Sequence, residues 1–388
     1  MRKIAVFTGT RAEYGILYRI IKGLFDSTEI ELQLIVGGMH LSTEFGYTLT
    51  EIQEDGIPIS ECLEFLVSSE TAVGVSKSMG LAMISAADYF ARNRPDILVV
   101  LGDRYEAIAV AQAAMVARIP IAHIHGGEIT EGVIDEAIRH SLTKMSHLHF
   151  VATDVYKNRI RQLGENPSNI FNFGAPGLDN IKNMTLLKRD ELSKAIGFKL
   201  GQKYLMVTHH PVTLSPSSAP LELLNLLSVL DEYPEYQLII TYPNADTKGK
   251  ELIDILNQYY MKNKNRIFLS RSLGRFKYLS CLKYCEFVIG NSSSGIIEAP
   301  SLSIPTVNIG ERQKGRITGD TVISCGVTRE AIRNAINDAV SEKFSKQIKS
   351  AKNPYGNGDA SKKIVEKLIT FPLENIIFKK FFDLEKLT

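Results

Sequence analysis

Polar residues that directly follow short apolar runs carry most of the groups in this 388-residue chain that can do chemistry. Gly9-Thr10-Arg11, Gly37-Gly38-Met39-His40, Gly102-Asp103-Arg104-Tyr105-Glu106 and His123 through Glu128 each follow such a run. His209-His210-Pro211, Pro243-Asn244, Gly290 through Gly295 and Gly310 through Gly319 do so later in the chain. Asp103 and Glu106, then Glu128, Glu131, Asp135 and Glu136, bring carboxylates close together. Carboxylates that converge in a cleft can hold different pKa values and divide acid from base work. The plain alternative, acids at a helix start serving its dipole, fits Asp135 and Glu136 better than Asp103 and Glu128. Gly290-Asn-Ser-Ser-Ser-Gly295 ends an apolar run and opens a helical one, which leaves backbone N–H groups free for a diphosphate. A simple serine N-cap would read the same way. Arg11, Arg104, Arg139 and Arg316 suit phosphate oxygens through paired contacts, and each also fits an ordinary ion pair.

Spacing excludes several other chemistries. No GxGxxG follows an apolar run and no GxxxxGK[ST] occurs, so dinucleotide and Walker-type sites are not expected. The serines are not in GxSxG and no histidine follows His210, which excludes a nucleophile elbow. His123-x-His125 and His147-x-His149 each place two imidazoles on one strand face. Neither has a third ligand at a diagnostic spacing, so they read as core or hydrogen-bonded histidines and no metal is expected. Lysine and arginine total 45 against 43 acids, a balance that gives no electrostatic footprint for nucleic acid or an anionic membrane. No run approaches the ~20 apolar residues of a membrane helix. The N-terminal apolar stretch is too short for a signal peptide. Cys62, Cys281, Cys285 and Cys325 form no CxxC pair and are expected as buried free thiols in a reducing cytoplasm.

The elements that must position these residues follow from alternation. Short, continuously apolar runs at 2–8, 32–36, 96–101 and 119–124 are interleaved with helical patterns at 12–25, at 104–117 and from about 133. A second series lies at 204–208, 237–241, 266–269, 286–289 and 305–309. Such runs predict parallel sheets covered on both faces. The stretch FGAPGLDN at 173–180 reads as an interdomain connection. The expected fold is α/β, two doubly wound Rossmann-like domains facing across a cleft. Residues 361–387 have an amphipathic helical pattern. In such sheets ligands lie beyond the carboxyl ends of the strands, where the polar segments fall. The residues alone point to a cytoplasmic two-domain enzyme that binds a nucleotide diphosphate compound, with carboxylate acid–base chemistry and no redox cofactor.

The set Gly-Thr-Arg-Ala-Glu-Tyr (9–14), Gly-Asp-Arg-Tyr-Glu (102–106), His-Ile-His-Gly-Gly-Glu (123–128), Asp-Glu-Ala-Ile-Arg-His (135–140), His-His-Pro-Val-Thr (209–213), Gly-Asn-Ser-Ser-Ser-Gly (290–295) and Arg-Gln-Lys-Gly-Arg (312–316) resembles the hydrolysing UDP-N-acetylglucosamine 2-epimerases of bacterial sialic acid synthesis. The resemblance runs from Arg2 to about Asn357. It implies a GT-B type fold, with an N-terminal domain over 1–175, a UDP-binding domain over 176–364 and a C-terminal helix, 365–388, packed back on the first. It also implies elimination of UDP across C1 and C2 of the sugar to give a 2-acetamidoglucal, then hydration to N-acetylmannosamine, with no cofactor. Asp103, Glu128 and Asp135 are then the candidates for moving the C2 proton, and His210 for meeting the departing diphosphate. Arg11 and the turn Ser292, Ser293, Ser294 and Gly295 should hold the phosphates, and Glu298 the ribose hydroxyls. Arg316, Arg139, Arg104, Asn244 and His40 are further expected substrate contacts. Closure of the domains would exclude water until the glycal forms.

One departure matters. Non-hydrolysing relatives carry Glu where this chain has His125, so the base role passes to Glu128, with His125 sharing it. That change, with Arg-Gln-Lys-Gly-Arg, favours release of the free sugar. Three rivals remain at this level: the same reaction on UDP-2,4-diacetamido-2,4,6-trideoxyglucose, a glycosyltransferase on the same fold, and a UDP-sugar sensor without turnover. Relatives suggest a homodimer or homotetramer.

Overall fold

The computed structural model describes residues 1–67, 69, 71–131, 133–211, 218–243 and 249–384. One sheet contains β1 (Arg2–Thr8), β2 (Ile30–Gly37), β3 (Glu61–Leu63), β4 (Ile97–Leu101), β5 (Ile121–Ile124), β6 (Leu148–Val151) and β7 (Ile170–Asn172), in the order β3-β2-β1-β4-β5-β6-β7. The other contains β8 (Tyr204–Thr208), β9 (Gln237–Thr241), β10 (Ile267–Ser270), β11 (Val288–Gly290), β12 (Thr306–Ile309) and β13 (Val322–Cys325), in the order β10-β9-β8-β11-β12-β13. All the pairings are parallel. Strand order reverses between β1 and β4 in the first sheet and between β8 and β11 in the second. At such switch points an open sheet leaves a crevice beyond its strand ends.

The continuous apolar runs arise because each central strand feeds two cores. Ile4 and Val6 of β1 join one core with Leu17 and Ile21 of the helix Arg11–Phe25 and Ile364 and Leu368 of the helix Ala360–Thr370. Ala5 and Phe7 join the opposite core, against Ala82 and Ala86 of the helix Ala72–Arg92 and Ala109 and Ala113 of the helix Tyr105–Val116. The second sheet repeats the plan. Leu205 and Val207 of β8 face the helices Ala219–Leu230 and Arg329–Ala339, while Tyr204 and Met206 face Leu279 and Leu282 of the helix Gly274–Tyr284.

The chain forms two compact units, one from Met1–Glu128, Asp135–Asn180 and Tyr355–Thr388, the other from Ile129–Ile134 and Ile181–Pro354. The crossings thus fall at 180 and 354, where the sequence placed them at 175 and 364, and the short segment 129–134 belongs with the second unit. The terminal helix needs a correction. It is Ala360–Thr370, not 365–388. Pro372 forces the residue before it out of helical geometry, and Phe371 accordingly sits at φ −66°, ψ 130°. Cys62 also departs from expectation: it is exposed on the short edge strand β3, whereas Cys281 and Cys285 are buried. Among the described residues, no helix is long and apolar enough to cross a membrane.

Candidate functional site

In the first unit the candidate residues follow β1, β4 and β5. After β1, Thr10 caps the helix Arg11–Phe25 through a reciprocal box: its hydroxyl accepts from Glu13 N–H at 3.3 Å. The Glu13 carboxylate accepts from the N–H groups of Gly9 and Thr10, both at 2.9 Å. Glu13 is nearly buried, and that burial, followed by the charge of Glu106, raises its carboxyl to about 7. Arg11 opens the helix. Its buried Nη1 has no hydrogen-bond partner among the described residues, and burial lowers its pKa. A buried guanidinium nitrogen without an acceptor costs free energy until an anion supplies one.

After β4, Gly102 turns with φ +72° and releases Asp103, Arg104 and Glu106. Asp103, partly exposed, pairs with Arg139, which is 1% exposed and also lies 3.6 Å from Glu136. Arg104 Nε lies 3.4 Å from Glu106, whose carboxylate is fully buried. His123 of β5 holds this turn. Burial lowers its pKa to about 3, so the ring is neutral. Its Nε2 lies 2.7 Å from the Gly102 carbonyl and must carry the proton, leaving Nδ1 to accept from the Thr143 hydroxyl at 3.2 Å. The segment after β5 is tightly bent. His125 sits at φ +63°, a conformation that costs a non-glycine residue free energy and is concentrated at functional sites. Its Nδ1 meets Glu128 Oε1 at 2.5 Å, with both side chains at least nine-tenths buried. Gly127, at φ +76°, has Tyr156 O where a Cβ would be, 2.5 Å away, so no larger residue could make this turn. Asp135 then opens the helix Asp135–Met145, which also carries Arg139. Because Gly102 N–H donates to Ile124 O, the Asp103 turn and the His125–Glu128 pair leave adjacent strand ends.

In the second unit the candidates follow β8 and β11. His209 and His210 leave β8; His209 Nε2 lies 3.4 Å from Glu222, both nearly buried. Gly290 ends β11 at φ +135°, where a Cβ would lie 1.9 Å from Thr208 O. Ser292, Ser293, Ser294 and Gly295 follow, the last packed against Thr306, whose hydroxyl donates to Gly295 O at 2.7 Å. The helix they open is only Ser294–Ile297, because Pro300 converts the chain to a 3-10 turn. Its dipole is therefore small, and any anion here would meet local N–H and hydroxyl groups. Glu298, half-buried, closes that helix. Arg316 Nη1 donates to Gln313 Oε1 at 3.0 Å and Nη2 to the Thr130 hydroxyl at 3.4 Å.

Two of the expected substrate contacts, His40 and Arg139, are enclosed within the first unit. His40 is fully buried with Nε2 3.0 Å from the Thr8 hydroxyl and Nδ1 2.8 Å from that of Thr48, and burial lowers its pKa to about 4. Both nitrogens are engaged inside the protein, where His40 braces the turn after β1. Arg139 is likewise enclosed and acts on Asp103. Asn244 lies outside the described residues, as do Val212 and Thr213 of the 209–213 motif. His149 pairs with Glu165 at 3.1 Å and His147 Nδ1 accepts from Ile121 N–H at 3.2 Å. Glu13 lies in the 9–14 motif, and His209 and Asn291 lie in the candidate segments 209–211 and 290–295, but no role of its own follows from the sequence for any of the three. The signal available for each was its place in a motif whose neighbours had already been chosen.

The family model described as UDP-N-acetylglucosamine 2-epimerase matches residues 22–369. A Campylobacter jejuni protein named GDP/UDP-N,N'-diacetylbacillosamine 2-epimerase (hydrolyzing) is 39% identical over 99% of this chain and 99% of its own. An Escherichia coli protein named polysialic acid biosynthesis protein P7 is 40% identical over 100% of this chain and 99% of its own. The crystal structure of UDP-GlcNAc 2-epimerase from Neisseria meningitidis bound to UDP-GlcNAc superposes with a TM-score of 0.80 at 20% identity, over 95% of this chain and 100% of that one. At that identity the likeness establishes the fold, a two-domain Rossmann-like arrangement of the GT-B type.

Proposed function

We propose a hydrolytic reaction for this chain, which belongs to the UDP-N-acetylglucosamine 2-epimerase family: UDP-N-acetylglucosamine and water give N-acetylmannosamine and UDP. The observation that carries the reading is the strained His125–Glu128 pair beside the Arg139-held Asp103. The C2 proton of the sugar is a weak acid, and a buried carboxylate braced by an imidazole is a suitable base for it. Glu128 takes that proton, the C2–H electrons form the C1=C2 double bond, and the C1–O bond breaks to release UDP. Water then adds, its oxygen to C1 and a proton to C2 from the opposite face. Asp103 and Asp135 serve the second proton and the water. Arg139 holds Asp103 in place through their ion pair.

Arg11 and the Ser292–Gly295 turn hold the diphosphate, His210 donates to it as it departs, and Glu298 accepts from the ribose hydroxyls. Arg104 and Arg316 add positive charge around the same group. The chain works in the cytoplasm, needs no cofactor, and self-associates as a homodimer or homotetramer. In support of self-association, the outer face of the helix Ala72–Arg92 exposes Val73, Leu81 and Ile84. The product feeds sialic acid or surface polysaccharide synthesis.

A second reading keeps the mechanism and changes the sugar to the UDP-2,4-diacetamido-2,4,6-trideoxy form. It is favoured by the full-length Campylobacter relative that carries a diacetylbacillosamine name. Incubation with each sugar in EDTA, followed by chromatographic separation of UDP and free sugar, tests the assignment. Faster release from UDP-N-acetylglucosamine supports the first reading and faster release from the diacetamido sugar the second. Release that needs an added acceptor points to a glycosyltransferase.

A further inference from the structure

Asn291 is 1% exposed, and all four of its polar groups are engaged. Its N–H donates to Thr208 O at 3.0 Å. Its side-chain Oδ1 accepts from His210 N–H at 2.7 Å, and its Nδ2 donates to His210 O at 2.9 Å. Its own carbonyl accepts from Gln313 Nε2 at 2.8 Å and Arg312 Nη1 at 3.2 Å. The regular pairing of β8 with β11 ends at Thr208 and Gly290. Beyond that pair the main chain turns away at Gly290 into the serine segment, and the planar amide of Asn291 takes the place of the missing strand for residue 210. An amide is the side chain suited to this: it presents one acceptor and one donor in a plane, matching the N–H and C=O of a single residue. Gln313 extends the connection, since its Oε1 accepts from Arg316.

We propose that Asn291 is a positioning residue that holds His210 in fixed register with the Ser292–Gly295 turn, so that the proton donor and the diphosphate cradle form one rigid piece. The proposal rests on the role given to His210 above. Without the clamp the backbone of residue 210 loses its partners on one side, and the imidazole drifts from the departing oxygen. A misplacement on the ångström scale costs about 10²-fold in rate.

The test is a double-variant cycle of Asn291→Ala and His210→Ala, reading kcat for UDP release, with UDP affinity by calorimetry as a second readout. His210→Ala alone should lower kcat by about 10²-fold or more, and Asn291→Ala alone by about 10²-fold, with UDP affinity within about threefold of the unsubstituted protein. In the His210→Ala background, Asn291→Ala should cost less than about threefold, because its effect passes through His210. A variant harmed only in its folding would lose the same factor in both backgrounds, and that result would overturn the proposal. Where Asn291→Ala does not fold, Asn291→Asp replaces it in the cycle: it keeps the acceptor for His210 N–H and loses the donor for His210 O. Unchanged kcat in His210→Ala would instead overturn the role of His210. Turnover of neither sugar by the unsubstituted protein would remove the reading on which the clamp depends, and the proposal with it.

Discussion

Replacing Glu13 by Gln should make the protein more stable in alkaline than in acid solution, relative to the parent. Glu13 lies inside the turn that presents Arg11, accepts two backbone N–H groups there, and is held at about 7 by burial and then by Glu106, against an ordinary value of 4.5. The unfolded chain releases this proton near 4.5 and the folded chain only near 7. Between those values the native state binds more protons, so its stability falls as pH rises, and above 7 the whole penalty is present. About 2.5 pKa units at ~1.36 kcal/mol each is about 3 kcal/mol. Gln keeps an oxygen for Gly9 and Thr10 N–H and offers an N–H to the neighbouring carboxylate in place of a second negative charge. Urea and thermal unfolding of both proteins at pH 5 and pH 8 reads the effect. The variant should gain on the parent by up to about 3 kcal/mol between those values, roughly 6–12 °C in Tm for a unit of this size. A difference that does not change with pH, or one that turns against the variant as pH rises, would refute the reasoning.

Other outcomes follow from the same geometry. Arg139→Met leaves Asp103 and Glu136 without their buried cation, and should destabilise the first unit by about 3–5 kcal/mol and lower kcat far more than UDP affinity. Glu165 is opposed by burial, but hydrogen bonds from His149, Lys144 and Lys379 outweigh it and carry its carboxyl down to about 2. Its stabilisation is therefore complete above the ordinary carboxylate range and lost as pH falls through about 2. Lys379→Met should shift acid unfolding, followed by circular dichroism, to higher pH. Thiol titration should show Cys62 reacting first, while Cys281, pushed up to about 12 by burial, and Cys285, also raised by burial, react only in denaturant.

The two sheets were legible because their central strands are buried on both faces and therefore read as unbroken apolar runs. The strands β3, β7 and β13 were not, since three or four residues at a sheet edge are too few to show a period. The terminal helix was overextended because apolar residues continue at helical spacing past Pro372, where backbone geometry overrules the pattern. Residue types and position singled out Asp103, Glu128, His210 and the serine turn as candidates, and each lies just beyond the end of a strand. What spacing did not carry was direction. His40 and Arg139 are polar residues of the right type whose hydrogen bonds are used inside the protein. Asn291 looks like one more small polar residue in a turn, and only its paired bonds to His210 separate it from the serines beside it.

The central claim is elimination followed by hydration, and proton NMR of the protein with UDP-N-acetylglucosamine in D2O, with EDTA present and no NAD added, tests it most directly. The account predicts UDP together with N-acetylmannosamine carrying deuterium at C2. A free sugar that retains hydrogen at C2, or N-acetylglucosamine in place of its epimer, would contradict it.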